Sequence, residues 1–430
     1  MERPVVVRPR EVGYIELLRQ NQTFRSYFFA NALSNLGTWF TTIAMFVVIT
    51  NLSGRPELGL GFVFVLRMFA LALPQPFTGM LADRYSRKWL MVGSNIASAL
   101  CAFALLTVHT TADLPLFFLL ITSLMVLHAV YIPAESAAMP KITREDELLT
   151  ANAMNSATWS IALSFGSAIG GFIVSLYGVE IAFIIDGITF LLAALMIARL
   201  EVPQEKPERK GSIIVEGTAQ IIDGFRRILQ TPPVRRILTV KALWASFGGG
   251  LVYILVLLGN EIGVVDIAAG IGVLFAARGI GTGIGPIIGR AVSKDRSRWP
   301  LLMGLMVSTC GVCYVLIGLL SWTPWIAVLI IIGHAASGSN WVFSTVLLQE
   351  RTEDDWRGRV FGADFMLMTS MNGLSALVAS LLLEYGGYSL RTVLLWFASG
   401  QVISGLLWLA LMLPGERRFA ASLGAATPAE

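Results

Sequence analysis

The sequence predicts an all-α membrane protein in which twelve transmembrane helices form two pseudo-symmetric six-helix bundles. Of its 430 residues, 55% are hydrophobic and only 14% are charged, with a mean hydropathy of +0.70, whereas a soluble domain carries about 25% charged residues. Twelve apolar stretches each have the roughly 20 residues that a helix needs to cross a bilayer. The longest polar interruption divides these stretches into two sets of six, and a short motif recurs in both sets.

The N-terminal bundle, residues 1–200, holds the first six predicted spans. The polar, arginine-containing segment of about twenty residues before the first span does not resemble a cleavable signal peptide. Helices are expected because the backbone groups of a segment in lipid must be hydrogen bonded within that segment. The six spans are approximately 24–50, 58–81, 89–109, 114–139, 151–177 and 181–200.

A cytoplasmic linker, residues 201–236, separates the two bundles. It begins with the polar run "EVPQEKPERKG" and continues into a stretch whose apolar residues recur at helical spacing, from Ile214 to Leu229. This pattern predicts an amphipathic helix at the membrane surface.

The C-terminal bundle, residues 237–413, holds the other six spans and is followed by a cytoplasmic tail, residues 414–430. The six spans are approximately 237–258, 266–289, 300–320, 324–348, 360–383 and 389–413.

Lysine and arginine are distributed unevenly between the two sides of the predicted bundle. The segments on the side of the two termini hold 28 of the 32 basic residues, and the opposite side holds only Arg55 and Arg391. Because basic residues are retained on the cytoplasmic side of a membrane, both termini are predicted to be cytoplasmic.

A repeated motif places one arginine inside a span of each half. "GLGFVFVLR" (59–67) aligns with "GIGVLFAAR" (270–278) at an offset of 211 residues, and "TREDELL" (143–149) aligns with "TEDDW" (352–356) at an offset of 209. Two matches at nearly one offset indicate duplication. Parallel six-helix repeats with a site between them are typical of transporters.

Arg67 and Arg278 are the basic residues that this repeat places within the spans. Arg67 lies about 14 Å into its helix at 1.5 Å per residue, which is too deep for its head group to reach the membrane surface easily. Such a charge needs a partner or a wet cavity. Two interpretations remain open: the arginines bind an anionic group of a substrate, or they pair within their own half.

The loop after the second span carries the most specific motif, "GMLADRYSRKWLM" (79–91). It resembles the cytoplasmic signature of the major facilitator superfamily, G-x-L-a-D-R-x-x-R-K, and Ser86 stands where that signature has a glycine. The resemblance implies the major facilitator fold and a switch contact that forms in one conformation and breaks in another. The residues that match with this role are Gly79, Asp83, Arg84, Arg87 and Lys88.

Further stretches resemble the macrolide-efflux and enterobactin-exporter branch of that superfamily. They are "FRSYFFANALSNLGTWFTTIA" in the first span, "PAESAAMPKITREDELLTANAMNSA" after the fourth and "RGRVFGADF" at the start of the eleventh. The resemblance implies a multi-pass exporter of the bacterial cytoplasmic membrane.

Small residues in the fifth and eighth spans predict close helix packing. The fifth span reads "SFGSAIGGF", with Gly166 and Gly170, and Ser167 stands where exporters of the superfamily often carry a proline. The eighth span reads "GTGIGPIIG". Because the fifth and eighth helices of this fold meet across the two halves, both glycine faces are expected there. The corresponding residues of the eighth span are Gly281, Gly285 and Pro286.

Few titratable groups lie within the spans, so few could carry a proton. Glu135 and Asp186 are the acids within them that could exchange protons, and His128 in the fourth span could titrate or could be a hydrogen-bonded core residue. Substrate-cavity candidates beside the arginines are Asn35, Trp39, Asn340 and Trp341.

Together these features predict a secondary active transporter, a proton-coupled exporter of an amphipathic small molecule that works by alternating access. The alternative is a lipid or lysophospholipid transporter of the same fold. A membrane-embedded enzyme is disfavoured because the three histidines are scattered and no catalytic cluster is recognisable. A sensor or scaffold without transport is the remaining class. The expected partners are the substrate, protons and the bilayer, without cofactor, metal or nucleic acid, and the protein is expected to act as a monomer.

Overall fold

The computed structural model describes residues 12–203 and 212–425, with side chains through residue 422. The first eleven residues, the charged part of the linker and the last residues of the tail, all included in the predicted domains, lie outside the described residues. The described chain is helical almost throughout.

The N-terminal half contains nine α-helices. The first is a short amphipathic helix that precedes the bundle, and the others form the first six spans. They are α1 Tyr14–Gln20, α2 Gln22–Leu52, α3 Pro56–Ala72, α4 Gln75–Arg84, α5 Arg87–Ala104, α6 Leu114–Ile142, α7 Leu148–Ile161, α8 Ser167–Tyr177 and α9 Val179–Ala198.

The linker and the C-terminal half add eight more helices. One lies in the linker, six span the bundle and one follows it. They are α10 Ile213–Gln230, α11 Pro232–Glu261, α12 Ile267–Val292, α13 Trp299–Leu319, α14 Ile326–Glu350, α15 Asp354–Glu384, α16 Leu390–Leu411 and α17 Leu413–Ala425.

Twelve membrane spans are confirmed when one broken helix is counted as a single span. In the described part of the chain, eleven helical segments are long and apolar enough to cross a bilayer, and α3 and α4 together make the twelfth. These two helices meet at a bend of 41°. Pro74 lies at the bend and Pro76 follows it; since proline lacks a backbone N–H and its ring clashes with the preceding turn, the break has a local cause.

The fifth span is also irregular. A π-helical turn, Ala162–Gly166, separates α7 from α8 without interrupting the span. A π-turn holds one residue more than an α-turn, so it rotates the face of α8 relative to that of α7.

The two halves meet along two seams. In one, α3 packs against α15, with Gly61 against Ser380. In the other, α8 packs against α12, where Gly171 and Gly272 bring the two backbones into contact.

The linker helix α10 bridges the halves at one end of the bundle. Gly217 packs on Phe77 and Met80 of α4, and Gly224 packs on the backbone of Arg359 in α15. This end of the molecule, which also carries α1 and α17, is called the linker end below. The opposite end is called the far end.

Candidate functional site

A polar cavity lies inside the N-terminal half. Its volume is about 40 Å³, which is room for about three water molecules. Its walls come from α2, α3, α5, α6 and α9, and no residue of the C-terminal half lines it. The sequence predicted a site between the halves, whereas the polar cavity that the described residues form belongs to one of them.

Arg67 projects from α3 into this cavity and is half-buried. Both terminal nitrogens of its guanidinium lie 3.4 Å from Thr42 Oγ1, a distance at which a hydrogen bond is weak. Among the described residues, no carboxylate oxygen lies within 4.0 Å of the guanidinium. Arg67 is therefore a cation deep in a span whose hydrogen-bond partner among the described residues is a hydroxyl group of its own half.

His128 and Asp186 line the same cavity as Arg67. His128 has no hydrogen-bond partner among the described residues, unlike the hydrogen-bonded histidine of one interpretation. Asp186 is 1% exposed, and Thr189 Oγ1 lies 3.5 Å from its Oδ1. The cavity thus combines a guanidinium, an imidazole and a carboxyl group.

Glu135 lies on α6, nearer the linker end, in a hydrogen-bonded cluster that joins three helices. Tyr27 Oη and Asn31 Nδ2 of α2 donate to Glu135 Oε1, the second at 3.0 Å. Asn31 Nδ2 also donates to Asn155 Oδ1 of α7 at 2.6 Å. Asn35, which lines the cavity, donates to Asn31 Oδ1 at 2.8 Å. A chain of amides therefore connects Glu135 with the cavity wall.

Arg278 lies in α12, away from the polar cavity. Its guanidinium lies 5.7 Å from the centre of the Phe275 ring, and its Nε is buried without a hydrogen-bond partner. Like Arg67, it has no carboxylate within 4.0 Å among the described residues. The two arginines are alike in lacking an acidic partner, but the structure does not bring them to one cavity.

The C-terminal half contains a buried ion pair that sequence reasoning missed. Lys241 of α11 pairs with Asp364 of α15, and the two residues are 2% and 4% exposed. The Lys241 ammonium also lies 4.6 Å from the ring centre of Trp341. Both residues lie inside predicted spans, 237–258 and 360–383, but the sequence does not show that these two helices bring them together.

The other predicted cavity residues are separated by the structure. Trp39 lies on the seam between the halves, with its ring centre 6.0 Å from that of Phe275. Trp341 is 37% exposed and packs near Trp244. Asn340 is 1% exposed, and both polar atoms of its side chain lack a hydrogen-bond partner. These residues line the walls of both halves but do not form one cluster.

Aromatic rings fill the seam between the polar cavity and the far end. Phe46 stacks on Phe64 at 5.4 Å and contacts Phe275 of the other half at 5.8 Å. Phe64 meets Tyr253 of α11 edge-to-face at 5.8 Å. These four rings are called the aromatic seal below.

Polar contacts join the two halves beyond the aromatic seal. Tyr253 Oη donates to the backbone carbonyl of Glu57 at 2.9 Å. Arg55 lies 3.5 Å from Glu384 and also donates to Tyr385 Oη at 3.2 Å. These contacts, called the far-end latch below, hold the two halves together at that end.

The predicted switch loop contacts the linker helix and its own half. Arg84 pairs with Glu216 of α10 at 3.0 Å, and Arg87 donates to the backbone carbonyl of Ala137. Asp83 is 74% exposed and lies 3.9 Å from Arg87. In this conformation the loop reaches the other half through α10.

The remaining residues of the switch loop interact with their sequence neighbours or face open space. Ser86, which replaces the glycine of the signature, is the N-cap of α5, and its Oγ accepts from the backbone N–H of Trp89. Lys88 lies over the ring of Trp89. Gly79 has open space where a side chain would lie.

The predicted packing glycines lie mostly within single halves. Gly166 and Gly170 pack against Trp39 and Phe40 of α2. Gly281 and Gly285 pack against α14, and Pro286 lies inside α12. The fifth and eighth spans do meet across the halves, but not through these four glycines. That seam is formed by residues the prediction omitted, Gly171, Gly272 and Gly279.

Comparison with known proteins bears on both fold and function. A family model described as Major Facilitator Superfamily matches residues 27–376. The MFS-type transporter YfiS of Bacillus subtilis is 24% identical over 394 residues, which are 87% of this chain and 90% of that protein.

Macrolide efflux protein A of Streptococcus pyogenes is 22% identical over 183 residues, 42% of this chain and 45% of that protein. Several other curated relatives also match over less than half of their length. The crystal structure of peptide transporter POT in complex with sulfate superposes with a TM-score of 0.75 at 10% identity, covering 93% of this chain and 95% of that one. At that identity the superposition establishes the fold alone.

Proposed function

Because the chain belongs to the Major Facilitator Superfamily and is thus a membrane transporter, not an enzyme, we propose that it exports an amphipathic small molecule in exchange for protons. Transport would proceed by alternating access, with the two six-helix halves rocking about their seams. Both termini and the linker end would face the cytoplasm, as the distribution of basic residues indicates. Relatives named as efflux and siderophore transporters support a small-molecule substrate.

The surroundings of Glu135 are the observation that supports proton coupling. It is a carboxyl group within a span whose partners are the neutral groups of Tyr27 and Asn31, and no cation lies within 4.0 Å of it among the described residues. A carboxyl group of this kind lies inside a span without a counter-charge, and acids placed in this way within membrane proteins mark proton pathways. Asp364, which is paired with Lys241, lacks this property.

The polar cavity supports a substrate that carries a negative or strongly polar group. Arg67 offers unused hydrogen-bond donors there, and His128 and Asp186 line the same cavity from other helices. With room for only a few waters, the cavity in this conformation is too small for a drug-sized molecule, which needs roughly 300 Å³ or more. Binding would therefore require the cavity to widen in another conformation.

Transport in proteoliposomes tests the proposal, with a labelled macrolide as the first probe. The wild type should export the probe faster when a pH gradient is imposed, and Glu135→Gln should remove this response while keeping exchange of probe at equilibrium. Glu180→Gln, at an exposed position of α9, is the matched control and should behave as wild type. An intact response in Glu135→Gln, or transport by the wild type that ignores a collapsed gradient, would contradict proton coupling through Glu135.

Transport of a lysophospholipid is the second candidate, because Arg67 and Arg278 both lack an acidic partner and suit an anionic headgroup. Fluorescent lysophosphatidylglycerol in the same liposomes distinguishes the two functions. Faster translocation of this lipid, without export of the macrolide, would replace the first candidate with the second.

A further inference from the structure

A second and larger cavity lies outside the polar cavity, at the junction of the linker with the C-terminal half. It has a volume of about 280 Å³ and runs along one face of α11, between α10 and α15. It is called the α10–α11 groove. Its walls are mainly apolar and include Phe225, Ile228, Leu238, Leu243 and Leu367.

The groove is elongated along the membrane normal. Its face on α11 begins at Arg235 and continues through Thr239 and Ala242 to Ser246. These eleven steps correspond to about 16 Å along the helix axis. Lys241 and Trp244, which contact α14, lie on a different face of α11, so the groove is separate from the Lys241–Asp364 site.

The polar side chains of the groove have no free hydrogen-bond donors for a ligand deep inside it. Thr239 Oγ1 donates to the Arg235 carbonyl at 2.9 Å, and Ser246 Oγ donates to the Ala242 carbonyl at 2.8 Å. A polar ligand buried in the groove would lose its own hydrogen bonds without replacement, which is costly. An alkyl chain has no such requirement.

The mouth of the groove is basic. Arg235 is exposed there, and within the described part of the chain its guanidinium donates to one protein acceptor, the Leu229 carbonyl at 3.2 Å. Arg226, also exposed, lies on α10 one turn before that end of the helix. Arg226 precedes the groove residue Leu229 by three positions on α10 and so adds a second cation on the neighbouring helix.

The linker helix fixes the depth of this mouth in the bilayer. Ile214, Val215, Ile222 and Leu229 of α10 are between 57% and 71% exposed, although α10 also packs on α4 and α15. A helix with such an apolar outer face lies at the boundary between headgroups and acyl chains. The mouth then opens at headgroup depth, and the 16 Å groove extends into the acyl-chain region.

From these observations we propose that the α10–α11 groove binds an anionic phospholipid of the leaflet at the linker end. One acyl chain lies along α11 between α10 and α15, and the headgroup phosphate contacts Arg235 and Arg226. The site is independent of the transported substrate and of proton coupling. It shares no residue with the polar cavity or with Glu135, and it lies on a different face of α11 from Lys241. Because the lipid touches α10, α11 and α15 together, it would stabilise the packing of the linker helix on the C-terminal half.

Photo-crosslinking tests the site in the full-length protein, reconstituted with phosphatidylglycerol that carries a diazirine on one acyl chain. Labelled peptides should map to the groove face of α11 and to α15 near Leu367. Ala242→Phe, which fills the groove, should remove this labelling. Arg235→Gln should lower it about fivefold, the factor that corresponds to ~1 kcal/mol for one basic residue near a charged membrane surface. Ala291→Phe and Arg417→Gln, at exposed positions, are the matched controls and should label as wild type.

Diazirine-bearing phosphatidylcholine is the second probe, and it should label the groove at least fivefold less than phosphatidylglycerol. Equal labelling by both lipids would overturn the role of the arginines, and labelling that avoids the groove would overturn the site. Melting temperatures of the variants should match the wild type in lipid-free detergent, so that a loss of labelling cannot come from misfolding. None of these readouts depends on transport, so the proposed export activity can fail without affecting the result.

Discussion

Lys241 and Asp364 occupy positions in the C-terminal half that correspond to Asn31 and Asn155 in the N-terminal half. Lys241 follows Asn31 by 210 residues and Asp364 follows Asn155 by 209, close to the offsets of the repeated motifs. Each pair joins the first helix of its half to the fifth, one through an amide hydrogen bond and the other through an ion pair. The duplicated site has therefore kept its geometry while its charges have diverged, and only the N-terminal copy adds an acid, Glu135, without a counter-charge.

Replacing one member of the buried ion pair should be far worse than replacing both. Lys241→Met or Asp364→Leu alone leaves an uncompensated buried charge and should destabilise the protein by about 3–5 kcal/mol, whereas the double variant should be close to neutral. Melting temperature in detergent, measured for the three variants, checks this order. Single variants as stable as wild type would show that water reaches the pair.

Arg67 allows its two interpretations to be separated by one substitution. If the guanidinium serves substrate binding, Arg67→Met removes a poorly partnered charge from a span, so it should keep or raise the melting temperature while transport is lost. If the guanidinium is structural, the melting temperature should fall. Thermal unfolding and transport must be measured on the same preparation, with Arg67→Lys as the charge-conserving comparison.

At the scale of elements, hydropathy identified every span, because a helix that crosses the bilayer needs some 20 consecutive, mainly apolar residues. The break between α3 and α4 was not predicted, although Pro74 lies at it, since proline in a span either kinks the helix or is accommodated by its neighbours. The glycine seam was misassigned for a related reason. Which face of a helix meets which neighbour depends on rotation, and the π-turn at Ala162–Gly166 changes that rotation within the fifth span.

The seam between α8 and α12 should tolerate no side chain at Gly272. An added Cβ would lie 2.8 Å from the Ser167 carbonyl oxygen and 3.0 Å from the Gly171 Cα atom, so one helix must shift. Gly272→Ala should lower the melting temperature and slow transport. Gly93→Ala has no atom within 4 Å of the new Cβ and should be neutral or slightly stabilising, because alanine favours helix over glycine. Equal behaviour of the two variants would argue against close packing at this seam.

At the scale of the whole molecule, the structure is a conformation closed at the far end by the aromatic seal and the far-end latch. The sequence predicted the duplicated architecture and the motif loop but neither of these closures. The residues of the latch, such as Arg55 and Tyr253, come from opposite halves, and no local pattern relates them. The site was likewise only partly predictable. The sequence identified Glu135, Asp186, His128 and Arg67, but it could not show that the last three line one cavity while Arg278 lies elsewhere.

Weakening the latch should shift the balance of conformations toward one that is open at the far end. Tyr253→Phe removes a hydrogen bond worth about 1 kcal/mol, and Glu384→Gln removes a surface ion pair worth about 0.2–1 kcal/mol. Together they should raise the far-end-open population roughly eight- to thirtyfold. Electron–electron distance measurements between spin labels at Gly54 and Trp325, both exposed at the far end, should show a new, longer distance. An unchanged distance distribution would mean that the aromatic seal alone sets the balance.

The ion pair of Lys241 and Asp364 also determines where the membrane voltage can act. A pair of opposite charges at the same depth gains nothing from a field across the bilayer, so this pair adds no voltage dependence to the C-terminal half, where Arg278 is a span cation without an acidic partner among the described residues. The N-terminal half carries Arg67 without an acid and Glu135 without a base, and each unit charge moved through the full field is worth about 2.3 kcal/mol per 100 mV. The duplicated halves, alike in shape, would therefore respond to the membrane potential through different charges, Arg67 and Glu135 in the N-terminal half and Arg278 in the C-terminal half.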